Sequence, residues 1–167
     1  MMLVWLVFSV CTNMACGYAN DSGEGEDDSE VLVGELTRDQ QKAIYNFTTC
    51  LPYDKQDFAQ GVANCPSYSG TVFRGVPGDP QHKMGDKVSV IKSGTPQESW
   101  SKSPVWPGQF AGPGGSVYQT QGCGSKDISR YSCNPGEEEV IRQPQQYRVT
   151  QARKNDDGQT VYTVKSE

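Results

Sequence analysis

The sequence predicts an α+β domain, in which helices from Leu36 to about Ala63 precede two small, mostly antiparallel β-sheets packed face to face. Two observations favour strands over a helical bundle: 18 glycines and 10 prolines among 167 residues, and short runs of alternating polarity after Cys65. A third observation places the helices first, because Thr37 and Gln40 form a capping-box pattern ahead of apolar residues at helical spacing. A chain of this length has room for one domain with a real core.

The first ten residues are almost wholly apolar, too short to span a bilayer but long enough for the core of a signal peptide. Gly17 and Ala19 are the small residues expected before a cleavage site, which predicts a signal peptide over residues 1–19 and a secreted protein. A buried N-terminal strand is the alternative, because residues 1–19 contain no Lys or Arg.

Residues 20–35 are acidic and small, and we expect them to form a disordered leader before a domain over residues 36–167. The formal net charge of -5 offers no general electrostatic attraction to nucleic acid or to an anionic membrane. We therefore expect no nucleic-acid partner and no stable membrane anchor, and separately we expect a monomer.

Removal of the signal peptide leaves four cysteines, an even number that is typical of a disulfide framework in a small secreted domain. Four cysteines allow three pairings, and we favour the pairing of sequence neighbours, Cys50–Cys65 with Cys123–Cys133. A metal site is the competing interpretation. Because the chain has no close Cys-x-x-Cys pair and His82 is its only histidine, we expect no metal and assign His82 no role.

The segments after Cys65 are short and rich in turns, as expected for sheets. A C-terminal hairpin is predicted from two strand-like runs on either side of a polar turn with a glycine. The predicted strands, in chain order, are Gly70–Gly75, Lys87–Ile91, a serine-rich run over Glu98–Ser103, Ser116–Gln119, and the hairpin strands Tyr147–Ala152 and Thr160–Val164 around Asn155–Gly158.

Three consecutive glutamates lie in the stretch Asn134–Ile141, between a turn and an apolar strand. Side chains alternate faces along a strand, so Glu137 and Glu139 are expected to point one way and Glu138 the other. Two carboxylates aimed together suit a reaction in which one stabilises developing positive charge and its neighbour handles a proton or a cationic acceptor. The alternative is a solvated acidic turn.

Two features upstream of the glutamates point to a site. Arg74 follows an aromatic residue and precedes Gly75, where a backbone can be closely approached. Ser99, Ser101 and Ser103 alternate, so on a strand they share one face. The simpler interpretations are a surface ion pair for the arginine and a solvated strand face for the serines.

In order along the chain, this arginine, the serine-x-serine strand and the Glu-x-Glu before a late strand resemble the arginine–serine–glutamate class of NAD-dependent mono-ADP-ribosyltransferases, the cholera-toxin-like class. The similarity runs from about Leu36 to the C-terminus. The flanking stretches that also resemble the family are Phe110–Gly115, Lys126–Ser129, Asn134–Ile141 and Tyr147–Val149.

The resemblance implies that NAD is the co-substrate and that it lies in a cleft between the two sheets. Arg74 would grip the NAD pyrophosphate, a task that suits a rigid fork of donors, and Gly75 and Ser103 would border the cofactor. Ser101 would open the serine motif and hold both the catalytic glutamate and the nicotinamide ribose.

The resemblance also divides the work of the two glutamates. Glu139 would bond the ribose 2′-hydroxyl and stabilise the oxocarbenium-like state as nicotinamide leaves. Glu137 would meet the acceptor, and a glutamate here implies arginine of a target protein. Tyr131 is similar to the aromatic residue that helps to position that target.

The chain departs from the family pattern within and after the serine motif. Lys102 stands at the middle position, where threonine is common, and Trp106 fills the region that follows. Family members continue into a helix there, but we expect Pro104 and Pro107 to prevent a regular one.

The resulting hypothesis is a secreted enzyme that transfers ADP-ribose from NAD to protein arginine. An NAD glycohydrolase that uses the same site is the nearest alternative. A secreted, disulfide-linked binding domain without catalysis is the alternative from another class.

Overall fold

The computed structural model describes residues 35–90 and 97–167. The predicted signal peptide, the leader up to residue 34 and the end of the strand predicted over Lys87–Ile91 lie outside the described residues. Within the described part, none of the helices combines the length and the apolar character that crossing a membrane requires.

The first helix, α1, spans Arg38–Thr48 and begins at the predicted capping box. Thr37 Oγ1 accepts from the Gln40 N–H at 3.3 Å, and the Gln40 side chain accepts from the Thr37 N–H at 3.2 Å. The second helix, α2, spans Lys55–Asn64 and begins where the Asp54 carboxylate accepts from two N–H groups of the first turn. Both helices therefore start at side chains that satisfy otherwise unpaired backbone donors.

The strands form one sheet in the order β1-β6-β7-β4-β2-β5-β9-β8-β3. Among the described strands, every pairing is antiparallel except that of β5 with β9. The strands are β1 (Ser67–Tyr68), β2 (Thr71–Val76), β3 (Lys87–Val88), β4 (Glu98–Ser101), β5 (Ser116–Gln121), β6 (Ser125–Asp127), β7 (Glu139–Arg142), β8 (Tyr147–Lys154) and β9 (Thr160–Ser166).

This single sheet replaces the two separate sheets that the sequence analysis predicts. Its halves, β1-β6-β7-β4 and β2-β5-β9-β8-β3, join where Phe73 pairs with Ser101, the one residue pair between β2 and β4. Trp100 and Val140 from the first half pack in the same buried core as Tyr162 from the second. The sheet therefore curls over one core, and the pairing of β2 with β4 is what makes it continuous.

The other face of the sheet carries the helices. Ile44 of α1 and Phe58 of α2 are buried against Ile141 of β7 and against Ile128, so these two helices cover the β6-β7 end. A separate apolar cluster that includes Phe73 lies on the β2-β5-β9 part.

A third helix, α3, spans Val105–Ala111, where the prolines were expected to prevent one. Pro104 is its N-cap and Pro107 its third residue. N–H groups at these positions have no acceptor within a helix, so a proline there removes no helical hydrogen bond. The helix lies directly on β2, since a Cβ at Gly75 would come within 2.0 Å of the Pro107 carbonyl oxygen. Glycine at position 75 is therefore a packing requirement.

Neither predicted disulfide, Cys50–Cys65 or Cys123–Cys133, is present in the described part of the chain. Cys65 is 3% exposed and packs in the core beneath α1 and α2, while Cys50 is exposed. Burial raises the pKa of the Cys65 thiol to about 11, which disfavours the thiolate that disulfide exchange requires. The Cys133 N–H donates to Thr48 Oγ1 at 3.0 Å, so this cysteine lies beside the end of α1.

The C-terminal hairpin of β8 and β9 lies where the sequence predicts it. Asn155 Oδ1 accepts from the Gln159 N–H at 2.9 Å, and Gly158 takes the left-handed conformation, with φ of 74°. Turn chemistry read from the sequence thus positions the strands correctly.

Candidate active site

A row of side chains crosses the helix-covered face of the sheet at its centre. Ser101 of β4 lies directly opposite Glu139 of β7 on one side and Phe73 of β2 on the other. Phe73 in turn lies opposite Gln119 of β5. Because residues opposite each other on antiparallel strands point to the same face, these four side chains line one surface.

Glu139, the first residue of β7, is a carboxylate held in a nearly dry position, with 8% of its surface exposed. The Ser99 hydroxyl donates a short hydrogen bond to its Oε1. Burial raises the pKa of Glu139 to about 7, and the negative charge of Glu137 acts in the same direction. The Ser99 hydrogen bond and the positive charge of Arg74 oppose this shift.

Glu137 does not lie on the strand, which corrects the alternation argument for the two carboxylates. It ends a 3-10 turn over Pro135–Glu137, and Glu138 follows in the left-handed conformation, with φ of 50°. This turn, and not strand geometry, brings Glu137 close enough to influence Glu139. The Glu137 Oε1 accepts from Asn134 Nδ2 at 2.8 Å.

The serine that bonds the buried carboxylate is Ser99, where the family resemblance pointed to Ser101. The Ser101 hydroxyl lies within hydrogen-bond distance of the carbonyls of Glu137, at 2.7 Å, and of Ser103, at 2.8 Å. It also accepts from the Ser103 N–H at 3.0 Å. Ser99 and Ser101 share a face of β4, and although Ser101 lies directly opposite Glu139 on β7, it is the Ser99 hydroxyl that reaches the carboxylate.

Arg74 lies on the core side of β2, on the same side as Val72 and Val76. Its guanidinium donates to the Val90 carbonyl at 3.1 Å and, through a short bond, to the Ser99 carbonyl. Burial lowers the pKa of Arg74. The guanidinium therefore supports the strand that carries Ser99, and a contact with a pyrophosphate stays a prediction.

Tyr131 ends a 3-10 turn over Ser129–Tyr131, just before the glutamate turn. Its ring is half-buried, packs against the core beneath α1 and α2, and has the Arg130 guanidinium 5.7 Å from its centroid. The ring thus helps to attach this loop to the helices.

A cavity of about 730 Å³ continues the row away from the carboxylates. Its floor is apolar, and α3 and the tip of the β8-β9 hairpin form its walls. The lining includes Phe73, Val117, Gln119, Val161 and Arg153, whereas Glu139 lies beside the cavity at the other end of the row.

Within residues 35–90 and 97–167, no group of three or more His, Cys, Asp or Glu side chains is arranged to hold a metal ion.

No protein-family model and no curated protein matches the chain in sequence. Solved structures do match it in fold. The Vis toxin, an ADP-ribosyltransferase from Vibrio splendidus, aligns with a TM-score of 0.57 and 16% identity over 79% of this chain and 74% of Vis. Vis in complex with agmatine aligns with a TM-score of 0.58 and 16% identity over 79% of this chain and 75% of that one.

A C3 exoenzyme aligns over a larger share of its own length. The Clostridium limosum enzyme matches with a TM-score of 0.56 and 13% identity over 81% of this chain and 88% of that chain. Identities this low speak for the fold alone. The chain therefore has the fold of the bacterial ADP-ribosyltransferases that it resembles in structure.

Proposed function

We propose that this protein is a mono-ADP-ribosyltransferase that cleaves NAD and transfers ADP-ribose to arginine of a target protein. The observation that carries the proposal is the state of Glu139, a carboxylate buried at the start of β7 and bonded by Ser99. A carboxylate kept largely from water interacts strongly with positive charge that develops beside it.

The reaction needs such a group at one step. The bond between ribose C1′ and the nicotinamide nitrogen breaks, its electron pair leaves with neutral nicotinamide, and the ribose acquires oxocarbenium-like charge. Glu139 stabilises that charge. A guanidinium nitrogen of the acceptor then bonds to C1′ and releases one proton to solvent, and Glu137 is the nearby carboxylate that can orient this group.

The surface beside Glu139 fits an extended dinucleotide. The row through Ser101 and Phe73 offers hydroxyl groups and an aromatic ring, and it leads into the 730 Å³ cavity, which contains the exposed cation Arg153. In this proposal the nicotinamide ribose lies at the Glu139 end of the row. Arg74 bonds the Ser99 carbonyl and so helps to position the hydroxyl that bonds Glu139. The family resemblance implies, in addition, a contact between Arg74 and the NAD pyrophosphate.

Two observations support arginine as the acceptor. The residue two positions before the buried glutamate is itself a glutamate, whose charge complements a guanidinium. The structurally similar Vis binds agmatine, which also carries a guanidinium group.

Labelled NAD, incubated with the protein with and without agmatine, tests the proposal. We expect nicotinamide release together with labelled agmatine. Free ADP-ribose alone would indicate a glycohydrolase, and intact NAD under both conditions would reject the enzyme hypothesis.

The glycohydrolase is the second candidate because of one contact. The Glu137 carboxylate already accepts a hydrogen bond from Asn134, so an acceptor guanidinium has to compete for it, whereas water does not. Asn134→Ala should therefore raise transfer relative to hydrolysis if the transferase is the correct function.

A substitution at the acceptor carboxylate should separate the two half-reactions. We expect Glu137→Gln to lower transfer to agmatine by at least about tenfold, because the amide loses a charge-assisted bond worth roughly 1.5–3 kcal/mol. NAD hydrolysis should stay within about twofold, since Glu139 is unchanged. Equal loss of both activities would show that Glu137 also acts on NAD itself.

The pH dependence of NAD cleavage should report the ionisation of Glu139. Because burial raises its pKa to about 7, the carboxylate form appears only as the pH rises through that value, and the rate should increase with it. Ser99→Ala removes the hydrogen bond that lowers this pKa, so the rising limb should move to higher pH. Ser67→Ala, on exposed β1, is the matched control and should leave the limb in place.

We also propose that the protein is secreted after removal of residues 1–19 and acts as a monomer. Intact-mass analysis of the protein recovered from culture medium tests the cleavage site, and light scattering tests the oligomeric state.

A further inference from the structure

The turn that carries Glu137 is held by its backbone, through three consecutive carbonyl groups. Trp106 Nε1 donates to the Gly136 carbonyl at 2.8 Å, Ser101 Oγ to the Glu137 carbonyl at 2.7 Å, and the Lys102 N–H to the Glu138 carbonyl at 3.0 Å. All three donors come from the segment that runs from the end of β4 into α3.

Trp106 differs from the other two donors in its position. Ser101 is buried on the strand, and the Lys102 donor is a backbone group that no substitution removes except proline. Trp106 is the second residue of α3, with 40% of its surface exposed, and its indole reaches 30 residues along the chain to bond the turn.

The Gly136 carbonyl belongs to the peptide unit whose nitrogen is that of Glu137. Because the peptide unit is planar, fixing this carbonyl fixes the plane from which the Glu137 Cα–Cβ bond leaves. Glycine at position 136 has wide conformational freedom and no contact within 4 Å at its Cβ position, so side-chain packing does not hold it. The Glu137 N–H of this unit donates to the Asn134 carbonyl at 2.9 Å within the turn, and the indole hydrogen bond restrains the carbonyl end of the same unit from outside the turn.

We propose that Trp106 is a positioning residue for Glu137, and that it sets the fraction of cleaved NAD that reaches the acceptor instead of water. The inference rests on the proposed function, since it assumes that Glu137 orients the acceptor guanidinium. Among the described residues, Trp106 makes no hydrogen bond and no ring contact with Glu139. We therefore expect that replacing Trp106 leaves the rate of NAD cleavage unchanged.

Trp106→Phe tests the proposal, because it keeps an aromatic ring at this position while removing the indole N–H donor. We expect transfer to agmatine to fall about tenfold, while the KM for NAD and the rate of NAD hydrolysis stay within twofold. The ratio of transfer to hydrolysis should therefore also fall about tenfold. Phe110→Leu is the matched control, since Phe110 is a 62% exposed aromatic residue of the same helix, and its ratio should not change.

Amide hydrogen exchange gives a second measurement that does not need activity. Exchange over residues 134–138 should accelerate in Trp106→Phe and not in Phe110→Leu, while exchange in β8 and β9 stays unchanged. Unchanged exchange with an unchanged ratio, or an equal loss of transfer and hydrolysis, would overturn the inference. If wild-type protein leaves NAD intact, the proposed function has failed, and faster exchange in Trp106→Phe then still shows the restraint on the turn.

Discussion

Glu139→Gln is expected to reduce both NAD hydrolysis and transfer to agmatine by about 10²–10³-fold, the typical cost of losing one preorganised electrostatic group. The amide keeps the size of the side chain and can still accept the Ser99 hydrogen bond. What it loses is the negative charge that faces the oxocarbenium-like state. Single-turnover rates of nicotinamide release would measure the loss directly.

The stability of the same variant shows whether the lost activity reflects chemistry or unfolding. The folded-state pKa of Glu139 lies near 7, above the ordinary glutamate value, so folding favours its protonated form. That contribution is fully present below the ordinary pKa and is lost as the pH rises through about 7. Above that pH, Glu139→Gln should match or exceed wild type in unfolding free energy, with an upper bound of about 3 kcal/mol from the size of the pKa shift. An inactive variant that is also less stable at pH 8 would contradict this explanation.

A second carboxylate, Glu98, lies on the core face of β4 with no exposed surface. It accepts a short hydrogen bond from the Tyr147 hydroxyl, and bonds from Trp100 Nε1 at 3.0 Å and the Gln145 N–H at 3.2 Å. Arg142 lies opposite it across the β4-β7 ladder, with its guanidinium over the Trp100 and Tyr147 rings. The side chains around Glu98 connect the two halves of the curled sheet, on the face opposite the row that contains Glu139.

Glu98→Leu should destabilise the fold by about 3–5 kcal/mol, the cost of removing one partner from a buried charged network. The substitution leaves three donors unsatisfied and Arg142 without the negative charge opposite it. Urea unfolding followed by fluorescence would measure the loss. Glu98→Gln retains an acceptor oxygen and should lose distinctly less, so equal losses in the two variants would show that the hydrogen bonds contribute little.

Local chemistry explains which parts of the fold could be predicted from the sequence. The Thr37–Gln40 capping box and the Asn155–Gly158 turn satisfy backbone groups a few residues away, so their patterns are complete within a short window. The expectation that Pro104 and Pro107 prevent a helix was wrong because the cost of a proline depends on its position, and both prolines lie in the first turn of α3, where their missing N–H groups have no intrahelical acceptor.

In the candidate site, too, the residue types could be predicted from the sequence, whereas their spatial arrangement could not. The residue types at Glu137 and Glu139 could be read directly, but strand alternation gave the wrong reason for their proximity, which comes from a 3-10 turn and a left-handed residue. The choice of Ser99 over Ser101 could not be read from the strand pattern, because Ser101 is the residue directly opposite Glu139 and only the side-chain geometry brings the Ser99 hydroxyl to the carboxylate. The Trp106 bond to Gly136 spans 30 residues and had no local signal beyond the presence of an unusual tryptophan.

Short patterns in the amino-acid sequence were enough to predict the first helix cap, the C-terminal hairpin and a fold that mixes helices and strands. The folded structure was needed to show that the strands form one sheet, that the predicted disulfides are absent from the described cysteines, and that Arg74 supports a strand from the core side. The physical reason is the range of the interactions. Caps and turns are closed by neighbours in the chain, whereas strand register, burial and the pKa of Glu139 depend on groups that folding brings together from distant segments.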